Sequence, residues 1–171
     1  MDEFNYRYLA IVHARLLAAD FEVEQEQGEE GFSLVARRPY GPARGVGFGP
    51  PLVVFSTFDH LDPEGLRVFS DSALAYLRAE HPKHALRGVM LYCPVAVVKQ
   101  CDPTLIDAVV SRAGAKKYKR FVSFPIVIDP RSGDAYYYRR TPIVGAVFYR
   151  GFRRLASTVI ADPEGADAAA A

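Results

Sequence analysis

Between Gly88 and Val98 the chain is almost unbroken in apolar residues, with Arg87 before the run and Lys99 after it. Such a run predicts a strand buried on both faces, at the centre of a sheet. The other patterns arrange themselves around it. Residues 4–20 place Tyr8, Ile11, Val12 and Leu16 at helical spacing with Arg7 and Arg15 outside, which predicts an amphipathic helix. Phe21-Glu22-Val23-Glu24 alternates with period two, and Phe32-Ser33-Leu34-Val35 follows beyond Gly28 and Gly31. The pair predicts a hairpin.

Glycine and proline crowd residues 39–51, which predicts a loop. Leu52 to Phe58 is rich in β-formers and predicts a strand. Asp62-Pro63-Glu64 reads as a helix start, with Asp62 as N-cap and Pro63 at the first helical position. Leu66, Phe69, Ala73, Tyr76 and Leu77 form its stripe, Ser70-Asp71-Ser72 offers a break, and His81-Pro82 ends it. Asp102-Pro103 repeats the start signal. Leu105, Ile106, Val109 and Val110 make an apolar face, and Gly114 fits a C-cap.

Phe121 to Ile128 predicts a strand in which Pro125 marks an edge or a bulge. A turn over 130–134 and Ala135-Tyr136-Tyr137-Tyr138 complete a second hairpin. Residues 143–160 are rich in β-branched side chains. Yet Val144, Val147, Phe148, Gly151, Phe152, Leu155 and Val159 recur with helical period after Pro142, and the period decides for helix.

The predicted order is α-β-β-β-α-β-α-β-β-α. Strands joined by single helices run parallel, so 52–58, 88–98 and 121–128 share a direction and the hairpin partners oppose them. This is an α/β fold, with α+β as the neighbouring class: a mixed sheet of about six strands with helices packed on it. Residues 1–161 suit a single domain and the alanine-rich 162–171 a flexible tail. The first six elements resemble, in order alone, those of restriction-endonuclease-like nucleases and, equally, small secretion-chaperone-like folds. In such nucleases the third strand carries an acid-x-Lys pair. Val53 to Phe58 holds neither acid nor lysine, so the resemblance does not bring the nuclease chemistry with it.

Net charge is +1, so the whole molecule does not favour nucleic acid or an anionic membrane. No apolar run reaches the ~20 residues of a spanning helix, and the acidic start Met1-Asp2-Glu3 has no signal-peptide character. Two cysteines, Cys93 and Cys101, are no disulfide framework. The expectation is a soluble, cytoplasmic protein.

Ligands of open α/β sheets bind beyond the carboxyl ends of parallel strands. Those ends carry Asp59, His60 and Asp62, then Lys99, Gln100, Cys101 and Asp102, then Asp129 and Arg131. Asp59, His60 and Cys101 are the catalytic candidates, with Cys101 ahead of a helix N-terminus that would lower its pKa. Asp62, Lys99, Gln100, Asp129 and Arg131 form the rest of this rim. Asp62 and Asp102 already serve as helix caps, and Cys93 belongs to the core. His13 reads as a helix-surface or satisfied core residue. His81 and His84 lack metal-ligand spacing, and Gly45-Val46-Gly47-Phe48-Gly49 lacks a phosphate-loop pattern. No metal and no cofactor is expected, and the balance leans away from an enzyme.

Basic residues are more concentrated. Lys116, Lys117, Tyr118, Lys119 and Arg120 form one cluster, Arg139 and Arg140 precede the last helix, and Arg150, Arg153 and Arg154 lie opposite its stripe. The acids between Glu22 and Glu30 suggest an opposed pole. Together with Tyr136 and Tyr138 on an exposed edge strand, these residues indicate a non-catalytic module that binds another protein, with a homodimer also open to it. The alternatives are a nucleic-acid-binding or degenerate nuclease-like protein, whose binding weakens with salt, and a small Cys/His enzyme at the strand ends.

Overall fold

In the computed structural model the described residues are 3–26, 31–38, 52–80, 90–111, 117–118, 121–140 and 146–161. They form one mixed sheet covered by helices on both faces. The helices are α1 (Glu3–Ala18), α2 (Pro63–Glu80), α3 (Pro103–Val110) and α4 (Ala146–Leu155), the last continued by a π-helical turn, Ala156–Ile160. The strands are β1 (Glu22–Glu26), β2 (Leu34–Arg37), β3 (Leu52–Leu61), β4 (Met90–Cys101), β5 (Lys117–Tyr118), β6 (Phe121–Ser123), β7 (Ile126–Ile128) and β8 (Ala135–Tyr137). The proposed tail and the loop 39–51 lie outside the described residues.

β1 and β2 form the predicted hairpin, and β2 pairs antiparallel with β3. β3 and β4 run parallel from Leu52 opposite Tyr92 to Leu61 opposite Cys101. β4 then pairs parallel with β6 through Tyr92–Ser123 and with β7 through Val95–Ile126. The register is the same on both sides of the interruption, so β6 and β7 are two halves of one strand broken at Phe124-Pro125. β5 covers the outer side of the first half and β8 the outer side of the second. The sheet therefore has more strand segments than the pattern predicts.

The rise of β4 as the middle strand follows from its composition: Tyr92 to Val98 is buried throughout. Its alternate residues feed two cores. Cys93, Val95 and Val97 meet α1 and α4, while Tyr92, Ala96 and Val98 meet α2 and α3. α2 and α3 sit on one face because two crossovers of the same hand join strands that advance in one direction.

Several expectations change. α2 is continuous through Ser70-Asp71-Ser72; Ser70 Oγ donates to Leu66 O at 2.8 Å within the helix, and buried Ala73, Leu74 and Leu77 carry the apolar face past it. α3 stops at Val110 with Ser111 as its cap, three residues before Gly114. Pro125 is neither an edge residue nor exposed: it is buried in the interior strand and separates its halves. Tyr138, expected on an exposed face, is buried at 6% and packs against Tyr149 with ring centroids 5.8 Å apart.

The first and last helices meet on the face away from α2. Tyr8 Oη donates to Ile160 O at 2.7 Å and Arg15 Nη1 to Ala161 O at 3.2 Å. These side chains partner carbonyls that a helix end leaves without an intrahelical donor.

Candidate functional site: an arginine-rich surface

The strand-end rim is drawn into the sheet itself. β3 reaches Leu61 and β4 reaches Cys101, because Asp59-His60-Leu61 and Lys99-Gln100-Cys101 continue to pair instead of turning away. Lys99 Nζ lies 2.7 Å from Asp59 Oδ1 and bridges the two strands. This hydrogen bond and charge hold the Asp59 carboxyl below its ordinary range. Asp62 Oδ1 accepts from Gly65 N at 2.6 Å at the start of α2. Asp102 Oδ1 accepts from Thr104 N and Thr104 Oγ1, both at 2.7 Å, at the start of α3. Asp129 Oδ1 accepts from Arg131 N at 2.9 Å in the β7–β8 turn. Gln100 and Arg131 are exposed.

Cys101 is level with Leu61, and both join the core under α2 and α3. His60 is level with Gln100 and exposed; alternation along a strand directs it to the face opposite Cys101. Burial, followed by the charge of Asp129, pushes the Cys101 thiol up to about 11. The helix-start effect expected to favour a thiolate is outweighed. The parallel strands β3, β4 and β6/β7 also follow one another without a reversal of order, so they create no crevice of the kind that strand reversal opens. Among the described residues no three His, Cys, Asp or Glu side chains are grouped to hold a metal ion.

The basic residues are arranged differently. α4 places Arg150, Arg153 and Arg154 along one side because residues three and four apart share a helix face. Its other side buries Tyr149 and Phe152, and Phe152 stacks on Phe124 at 5.0 Å between centroids. That packing fixes the orientation of α4, so the arginines face outward. Arg153 Nη1 donates to the carbonyls of both Arg139 and Arg140, each at 3.2 Å. The segment leaving β8 is thus tied to α4. The Arg139 guanidinium lies 5.7 Å from the centroid of the Tyr137 ring.

Arg139, Arg140, Arg150 and Arg154 are exposed, and none pairs with a carboxylate among the described residues. α4 and its π-helical turn contain no acidic residue. On the opposite face α2 and α3 carry Glu64, Asp71, Glu80 and Asp107 against Arg67 and Arg78. The two helical layers therefore differ in sign of charge. Of the cluster 116–120, Lys117 and Tyr118 enter as the backbone of β5, and Lys116, Lys119 and Arg120 lie outside the described residues. The tie through Arg153 is what sequence reasoning missed. It depends on carbonyls 13 and 14 residues away, for which a sequence gives no signal.

No helix among the described residues is long and apolar enough to cross a membrane. Compared with known protein families and with curated proteins, the chain matches none of either.

Proposed function

We propose that this chain is a non-catalytic binding module that recognises another protein through the arginine-rich surface of α4 and the segment after β8. One observation carries the reading: Arg153 clamps the carbonyls of Arg139 and Arg140, so cations from two separate elements share one surface. Four exposed arginines on two tied elements, none paired with a carboxylate among the described residues, give this surface a positive charge that an acidic partner complements. Arginine and tyrosine are also the residues that most often anchor interfaces. Two free thiols, Cys93 and Cys101, suit a reducing compartment such as the cytoplasm.

Cross-linking in extract of the native host, wild type beside Arg150→Glu/Arg154→Glu, tests this. The expected result is an acidic protein partner captured by the wild type and lost from the variant. Identical partners for both would overturn the reading. Mixed oligonucleotides serve as the second arm. Binding to them that falls steeply with salt and vanishes in the variant would replace the protein partner with a nucleic acid.

A further inference from the structure

The two flanks of the sheet are built differently. β1 carries a bulge between Val23 and Gln25, and Arg37 of β2 reaches Glu24 at 2.6 Å and Glu22 at 3.7 Å. Bulges and charged side chains are the usual means of keeping an edge from pairing. β8 has neither. Among the described residues it pairs only with β7, in regular register, and it reads Ala135-Tyr136-Tyr137.

The direction of its backbone groups follows from the turn. Asp129 N donates to Asp134 O at 3.0 Å. Hydrogen-bonded and non-bonded pairs alternate along an antiparallel ladder, so Val127–Tyr136 is the next bonded pair. The N–H and C=O of Ala135 and Tyr137 are left pointing away from β7. An added antiparallel strand would meet four backbone groups there. At the carboxyl end of the same edge stand Arg139, held over Tyr137, and Arg140.

We propose that this edge accepts an extended acidic segment of the partner protein as an additional strand, its carboxylates lying against Arg139 and Arg140. The proposal rests on the arginine-surface reading above and names the form its partner takes. Main-chain bonds supply the attachment, and charge at one end selects the segment.

The test uses a short fluorescein-labelled peptide alternating glutamate with valine, and the same peptide N-methylated at alternate backbone nitrogens, in low salt. Both peptides carry equal charge. The expected result is binding at least ~10-fold weaker for the N-methylated peptide, with a comparable loss on Ala135→Pro and loss of binding on Arg139→Glu/Arg140→Glu. The peptide comparison leaves the protein unaltered, so it decides even where Ala135→Pro fails to fold. Equal affinities that both depend on Arg139 and Arg140 would overturn strand addition and leave the arginine surface standing. Backbone-dependent binding indifferent to Arg139→Glu/Arg140→Glu would overturn the acidic identity of the strand. No binding of either peptide overturns the proposal. So does a wild-type dimer in sedimentation that Ala135→Pro abolishes, since the edge would then take a second copy.

Discussion

Cys93 Sγ donates to the carbonyl of Phe124 at 3.1 Å, inside the core. The bond replaces a missing ladder bond. Phe124 N donates to Tyr92 O at 3.0 Å, so the reciprocal donor to Phe124 O in a parallel ladder is the residue after Cys93. That residue is Pro94, which has no N–H. The neighbouring thiol takes its place. Cys93→Ala leaves a buried carbonyl unpartnered and is expected to cost about 2 kcal/mol. Cys93→Ser keeps a donor and costs less. Adding Pro94→Ala to Cys93→Ala returns an N–H, and urea unfolding of the four-member cycle should show a coupling of about 1 kcal/mol.

Cys101 should behave as a poorly reactive thiol. With its pKa at about 11, alkylation near pH 8 is expected to run roughly a hundredfold slower than for an unperturbed thiol, which ionises near 8.5. The rate should climb towards pH 11, as read by mass spectrometry. Stability follows the same sign: the buried neutral thiol contributes below the ordinary thiol pKa, and that contribution fades as pH rises towards about 11. Cys101→Ala should flatten this alkaline loss.

The Tyr8 hydroxyl donates to Ile160 O from a residue only 4% exposed. Tyr8→Phe keeps the ring packed and removes the donor, so it is expected to cost about 1–2 kcal/mol in urea unfolding.

The Asp59 carboxyl is held low by Lys99. A lowered carboxyl pKa contributes stability above the ordinary carboxylate range and loses it as pH falls through the lowered value. Asp59→Asn should therefore narrow the difference in stability between neutral and acid pH, measured by denaturant melts at both. The effect should also shrink in high salt, because the Asp59 side chain is 85% exposed.

The elements that declared themselves in the sequence were those with a local cause. Asp62 and Asp102 cap helices as their Asp-Pro pairs indicate, and period alone identified α4 against its β-branched composition. What stayed hidden depends on partners distant in sequence. Pro94 inside the most apolar run argues against a central strand by the usual rule, and the compensation, a bond from the Cys93 thiol, is made to a carbonyl 31 residues away. The strand-end polar residues looked like a rim because the pattern could not show that β3 and β4 keep pairing to Leu61 and Cys101. At the arginine surface the residue types were visible, and the clamp that gathers them was not.

The outer flank of the strand made by β6 and β7 is shared by β5, paired as far as Val122, and β8, paired as far as Ile126. Pro125 is next to Ile126 in the β7–β8 register and falls opposite Tyr138; it has no N–H to offer there, and β8 ends at Tyr137. The seam is thus a firebreak. Lifting β8 from β7 withdraws no hydrogen bond from the β5–β6 pair, and loosening β5 leaves β8 in place. Whatever happens at one half of this flank is insulated from the other, and β4 is shielded from both.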